Sequence, residues 1–123
     1  EADWMRAYAE INDFEDQLIA AGAIVVKFWL AITKDEQMAR FQAREAEPHK
    51  RFKISAEDWR NREKWDDYRR AVCDMVDRTS TGKAPWTLVE ADDKSYARVK
   101  ILRTICERLE RALESDNPKK KKD

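Results

Sequence analysis

Apolar residues near the start of the chain, Trp4, Tyr8, Ile11, Phe14, Leu18 and Ile19, recur at threes and fours. That is the period of one helix face, and it predicts a helix from Trp4 to about Ala21, with Gly22 as its C-cap. The pattern then changes. In AIVVKFWLAI, residues 23–32, nine of ten positions are apolar and several are β-branched or aromatic. Such a run predicts a strand buried on both faces, interrupted only by Lys27. One other segment reads as a strand, WTLVEA at 86–91.

Helical periodicity fills the space between the two strands. Thr33, with Glu36 three residues later, has the form of a capping box and starts a helix that runs to about Glu47, where Pro48 forbids continuation. A basic connector, HKRFKI, leads to Ser55, a second cap with Glu57 and Asp58 behind it. From there a long helix is expected over about 56–78, with Trp59, Trp65, Tyr68, Val72, Met75 and Val76 on its apolar side. TSTGKAP is a loop by composition. After the second strand, DDK opens a last helix whose stripe is Tyr96, Val99, Leu102, Ile105, Cys106, Leu109 and Leu113. The tail DNPKKKKD, within residues 115–123, is expected to be disordered.

Strands apolar on both faces belong to parallel sheets covered by helices on each side, and two strands cannot make one. The segment order therefore predicts part of a larger α/β domain: mostly helical, with two strands and a helical excursion inserted after a strand's C-terminal end. Ligands of open α/β sheets bind at that end.

Composition narrows the class. Among 123 residues, 41% are Asp, Glu, Lys or Arg, with 25 of each sign, so the formal net charge is zero. No whole-molecule attraction to nucleic acid or to an anionic membrane is expected. No stretch approaches the ~20 apolar residues of a membrane span. The opening EADWMRAYAE has neither the basic nor the apolar region of a signal peptide, which reads as cytoplasmic. Cys73 and Cys106 fall on apolar sides of predicted helices, where a free thiol packs as a small hydrophobe.

Locally the charge is lopsided. Arg40, Arg44, Lys50, Arg51 and Lys53 stand against only Glu45 and Glu47. Arg40 and Arg44, four apart on a helix, project from one face roughly 6 Å apart, a spacing suited to oxygens of one phosphate or of adjacent phosphates. Five cations on a short element beside the ligand end of a sheet suggest a lid over a polyanion. The alternative is a solvated helix face, its cations paired with Glu36, Glu45 and Glu47. Trp59 and Trp65 either pack the helix against the body or offer a ring on which a base stacks. No G-x-x-x-x-G-K and no metal-spaced Cys/His cluster occurs, and the sole histidine, His49, has no evident catalytic partner. Nothing marks Ser80 or either cysteine as a nucleophile.

The run KFWLAITKDEQMARFQAREAEPHKRFKISAEDW, followed by RNREKWDDYRRAVCDMVDRTSTGKAPWTLVEADDKSYARVKILRTICERL, resembles the C-terminal half of the family-2 polyphosphate kinases, above all the tandem-domain polyphosphate:AMP type. The resemblance covers about residues 4–113. It implies the C-terminal part of a P-loop kinase-like domain over residues 1–114, with a helical lid at about 33–82. The implied activity moves phosphoryl groups between inorganic polyphosphate and a nucleotide, AMP first, with Mg²⁺. The Walker loop and the Mg²⁺ ligands are expected upstream of residue 1, and the chain alone is expected to be inactive.

By the same resemblance Arg40 and Arg44 match the lid arginines, with Arg44 the first candidate to neutralise the transferring phosphoryl group. Lys50, Arg51 and Lys53 match the basic connector, and Arg78 to Thr81 the return hinge. Asp93 and Lys94 follow the last strand, where related kinases place a nucleotide-base loop. The partners implied are polyphosphate, a nucleotide and further copies of the chain, with no membrane and no nucleic acid. Two rival readings are a helical protein-interaction module and a nucleic-acid binder that uses the basic stretch and the lysine tail.

Overall fold

The computed structural model describes residues 2–50 and 55–116. Arg51, Lys53 and the lysines of the tail therefore lie outside the described residues. In chain order the elements are α1 (Ala2–Ala20), β1 (Lys27–Ala31), α2 (Lys34–Ala46), α3 (Ala56–Glu63), α4 (Trp65–Thr79), β2 (Trp86–Glu90) and α5 (Lys94–Ser115). α1 ends as its sequence predicts. Gly22 takes φ +94°, and the Gly22 and Ala23 N–H groups bond back to the Ile19 and Leu18 carbonyls, each at 3.0 Å. This is a Schellman closure, whose left-handed residue favours glycine.

β1 and β2 pair in parallel, Lys27 opposite Trp86 through to Ala31 opposite Glu90. Alternation along the strands then sorts the side chains. Val89 and Ala91 face α5 and pack with its Ala97 and Ile101, joined by Phe28 and Ile32, and this cluster is the core. The opposite face carries Lys27, Trp29 and Trp86 toward α1 and α4, and the Trp29 ring lies 6.3 Å from that of Tyr68. A two-stranded sheet thus has helices on both faces. At its edge, the Lys100 ammonium lies 3.2 Å from the Glu90 carboxylate. A backbone hydrogen bond at Glu90, then the bond and charge of Lys100, hold that carboxyl below its ordinary pKa.

Lys27, the one polar residue of the apolar run, is deeply placed. Its ammonium bonds the Glu15 carboxylate at 2.9 Å and the Thr79 carbonyl, and sits 5.1 Å from the centre of the Trp86 ring. Trp86 in turn donates its indole N–H to the Thr79 hydroxyl at 2.8 Å, and that hydroxyl bonds the Met75 carbonyl. One cation therefore ties α1, β1, the end of α4 and β2 together, and it meets the negative end of the α4 dipole.

Several expectations need correction. Only Lys27–Ala31 of the 23–32 run is strand, because β2 offers five residues for pairing. Burial on both faces is incomplete: Leu30 and Leu88 are 55% and 52% exposed, since two strands leave two open edges. The long helix over 56–78 is two helices, broken at Lys64 (φ −98°, ψ 28°). α3 is held by α2, through Arg62 to the Lys34 carbonyl at 2.8 Å and Trp59 edge-on against Phe41 at 5.0 Å. α4 is held by the body, through Asn12 to the Arg78 carbonyl at 3.0 Å. Two anchors with different directions account for the break.

The stripe predicted for α5 is largely exposed, because Ala97, Ile101 and Thr104 form the packing side while Val99, Leu102, Leu109 and Leu113 face out. Cys106 lies on the exposed stripe and Cys73 is likewise exposed, so neither thiol packs as a buried hydrophobe. α5 continues through Ser115, into the stretch assigned to the tail.

Candidate functional site

Two residues separate α2 from β1, and α5 begins just beyond β2, so both helix N-termini stand at the C-terminal end of the sheet. Thr33 starts α2: its hydroxyl accepts from the Glu36 N–H at 3.2 Å. The other half of the expected capping box is replaced. Thr33 donates its N–H and its hydroxyl to the two oxygens of Asp92, at 2.8 and 2.9 Å, while the Glu36 carboxylate is taken by Arg40 at 3.0 Å. Arg40 also reaches across to the Ala91 and Asp92 carbonyls, at 2.7 and 3.2 Å. Asp92 and Arg40 together fasten α2 to the loop that opens α5.

Asp92 escaped sequence reasoning, although the ADDK stretch contains it. Two adjacent aspartates cannot both cap one helix. Asp93 is the cap, accepting from the Ser95 and Tyr96 N–H groups at 2.9 and 3.1 Å, which leaves Asp92 to cross to Thr33.

The same docking gathers cations. Arg40, Arg44, Lys50 and Lys94 line one concavity of about 390 Å³ together with Ala43 and Glu47. Arg40 is committed to its acceptors and Lys50 bonds Glu47 at 2.9 Å, an oxygen that His49 also approaches at 3.3 Å. Arg44 and Lys94, by contrast, make no ion pair among the described residues. Lys94 is also the first residue of α5, whose N-terminus adds partial positive charge. The concavity is thus a basic cup whose free charges come from two separate helices.

The solvated-face alternative accounts for Arg40 and Lys50, which pair with the glutamates it names. Arg44 and Lys94, both exposed, have no such partner among the described residues. Trp59 is used for packing, against Phe41.

Among the described residues no group of three His, Cys, Asp or Glu side chains lies together as metal ligands would. The acids at the cup are held by Arg40, Lys50, Thr33 and backbone N–H groups, so these residues do not fit a Mg²⁺ site. No described helix is long and apolar enough to cross a membrane.

The family model described as Polyphosphate kinase 2 (PPK2) matches residues 1–118. The chain belongs to the polyphosphate kinase 2 family. A polyphosphate:AMP phosphotransferase of Pseudomonas syringae pv. tomato is 66% identical over 119 residues, 97% of this chain and 24% of that protein. An ADP-polyphosphate phosphotransferase of Rhodopseudomonas palustris is 43% identical over 107 residues, 87% of this chain and 37% of that protein. The polyphosphate kinase 2 crystal structure from Arthrobacter aurescens superposes with a TM-score of 0.85 at 42% identity, covering 89% of this chain and 39% of that one. The chain spans about a quarter of the length of the polyphosphate:AMP phosphotransferases it matches. The family's solved structures fit the layered helix–sheet–helix arrangement as part of a P-loop kinase-like domain.

Proposed function

We propose that this chain carries the helical lid, residues 33–82, of a polyphosphate-dependent nucleotide phosphotransferase with AMP as its acceptor. The observation that carries the reading is the convergence of Arg44 and Lys94, without carboxylate partners among the described residues, on a cup at the ligand end of the sheet. The high identity to proteins named polyphosphate:AMP phosphotransferase supports the choice of AMP.

In this reading an AMP phosphate oxygen attacks the terminal phosphorus of polyphosphate, and the bond to the next phosphate breaks, leaving a chain one unit shorter. Charge builds on the transferring group, and Arg44 neutralises it with a guanidinium that stays charged and can bond two oxygens. Lys94, and Lys50 once a phosphate displaces Glu47, hold the polymer beside it. Arg40 acts as a positioning residue, since its acceptors lie within the protein. Arg51 and Lys53, which lie outside the described residues, are assigned to the polymer as further cations of the connector, and Asp93 shapes the nucleotide loop by capping α5. Mg²⁺ would screen the phosphates from ligands other than the described residues, and the chain by itself is inactive. The enzyme is cytoplasmic and self-associating, with no nucleic-acid role.

The test is equilibrium binding of long-chain polyphosphate to the chain at two salt concentrations. Arg44→Ala with Lys94→Ala should weaken binding about tenfold or more and flatten its salt dependence. Equal binding by a folded double variant would refute the assignment of the cup.

A further inference from the structure

A second basic concavity lies at the other end of the sheet, and we propose that it is a separate site for a phosphate-bearing anion. It measures about 260 Å³ and is bounded by the turn after α1, the loop before β2 and the last turns of α5. Lys83, Arg108 and Arg111 supply its charge, Ile19 and Ile24 an apolar wall, and among the described residues no carboxylate lines it. Val25 and Lys83 precede their strands, so this is the N-terminal edge of the sheet, away from the cup built by Arg44 and Lys94.

Arg108 is the central feature. It is half-buried, and its Nη2 alone donates to the Val25 carbonyl at 3.3 Å and the Lys83 carbonyl at 3.2 Å. Both bonds are longer than a charge-assisted bond usually is. Nε and Nη1 have no acceptor among the described residues. The guanidinium is therefore held in place from one side while several of its donors stay open. A fixed, half-desolvated cation with free donors loses little entropy on meeting an anion, unlike a freely moving surface lysine.

The competing explanation is that these cations only balance the C-terminal ends of α1 and α5, which close on this region. Each helix end carries roughly half a negative charge, so two ends offset about one of the three cations. Arg111 and Lys83 make no ion pair among the described residues, which leaves an excess of positive charge. An anion with several phosphate oxygens satisfies that excess. A long polyphosphate whose other end lies in the cup, a short free oligophosphate and a nucleotide share this chemistry.

The experiment is equilibrium binding of long-chain polyphosphate, tripolyphosphate and AMP to the full chain. The proteins compared are the wild type, Lys83→Glu with Arg111→Glu, Arg108→Lys, and Arg44→Ala with Lys94→Ala. The Lys83/Arg111 variant changes only exposed residues, and its circular dichroism spectrum is the check that it folds. It should bind at least one of the three ligands about tenfold more weakly than wild type. Arg108→Lys should weaken the same ligand while keeping the charge. Loss confined to long-chain polyphosphate identifies a distal contact of the polymer; loss of tripolyphosphate or AMP identifies a separate small-anion site. Unchanged binding of all three ligands by the folded Lys83/Arg111 variant overturns the proposal. The Arg44/Lys94 variant reports on the cup independently, so failure of one site is not read as failure of the other.

Discussion

An ammonium group inside a protein needs a carboxylate and hydrogen-bond acceptors within reach, and Lys27 has Glu15, the Thr79 carbonyl and the face of Trp86. Both ends of the ion pair are almost fully buried, at 9% and 12% side-chain exposure, so removing one charge strands the other. Lys27→Met should cost about 3–5 kcal/mol in urea unfolding of the chain, whereas Lys27→Met with Glu15→Met should cost markedly less. If the double variant is no more stable than the single, the two charges are not energetically coupled. Arg40 makes the same point at the cup. A cation's distance from a presumed ligand matters less than what its donors already hold, and the Arg40 donors hold Glu36 and two carbonyls. Arg44, one turn on, makes no ion pair among the described residues.

Helices were the legible part of the sequence, because their signals are local. The Thr33 and Ser55 caps, the stop at Pro48 and the turn at Gly22 all stand where spacing and residue type predict them. What could not be read depends on distant partners. The break at Lys64 arises because α3 and α4 answer to different neighbours, and the packing side of α5 is chosen by Val89 and Ala91 rather than by its own richest stripe. The Asp92 bridge to Thr33 joins residues far apart in the chain and has no local signature. Of the site, the basic residues of α2 could be found by counting charge, but their division into committed and free cations could not. Asp92→Ala removes two bonds at the start of α2 and should lower stability by about 1–2 kcal/mol. It should also weaken polyphosphate binding, because the α2 cations lose their register with Lys94. A thermal melt and a binding curve on the same variant check both. Lower stability with unchanged affinity would separate the helix cap from the site.

For the molecule as a whole, apolar surface is unevenly covered. Trp4, Phe14, Leu102 and Leu113 are 60–71% exposed, and the α5 residues Val99, Leu102, Cys106, Leu109 and Leu113 form one continuous outward stripe. Together with the open edges of the sheet this is contiguous apolar surface of the kind that marks an interaction site. The chain should therefore associate in a concentration-dependent way in sedimentation velocity, and Leu102→Lys with Leu109→Lys should shift it toward monomer. A wild-type monomer at high concentration would contradict this.

The parallel pairing of β1 with β2 also sets an order of events. α2, α3 and α4 all lie between the two strands, so the pair closes only after that whole excursion is in place. Contacts of such long range make folding slow, while the helices between them form early from local contacts. On the ribosome, β1 emerges well before the strand that will cover its edge. For that interval its unpaired backbone N–H and C=O groups, flanked by apolar side chains, are open to any other extended chain. A nascent chain therefore has no sheet to place the cup until β2 has been made.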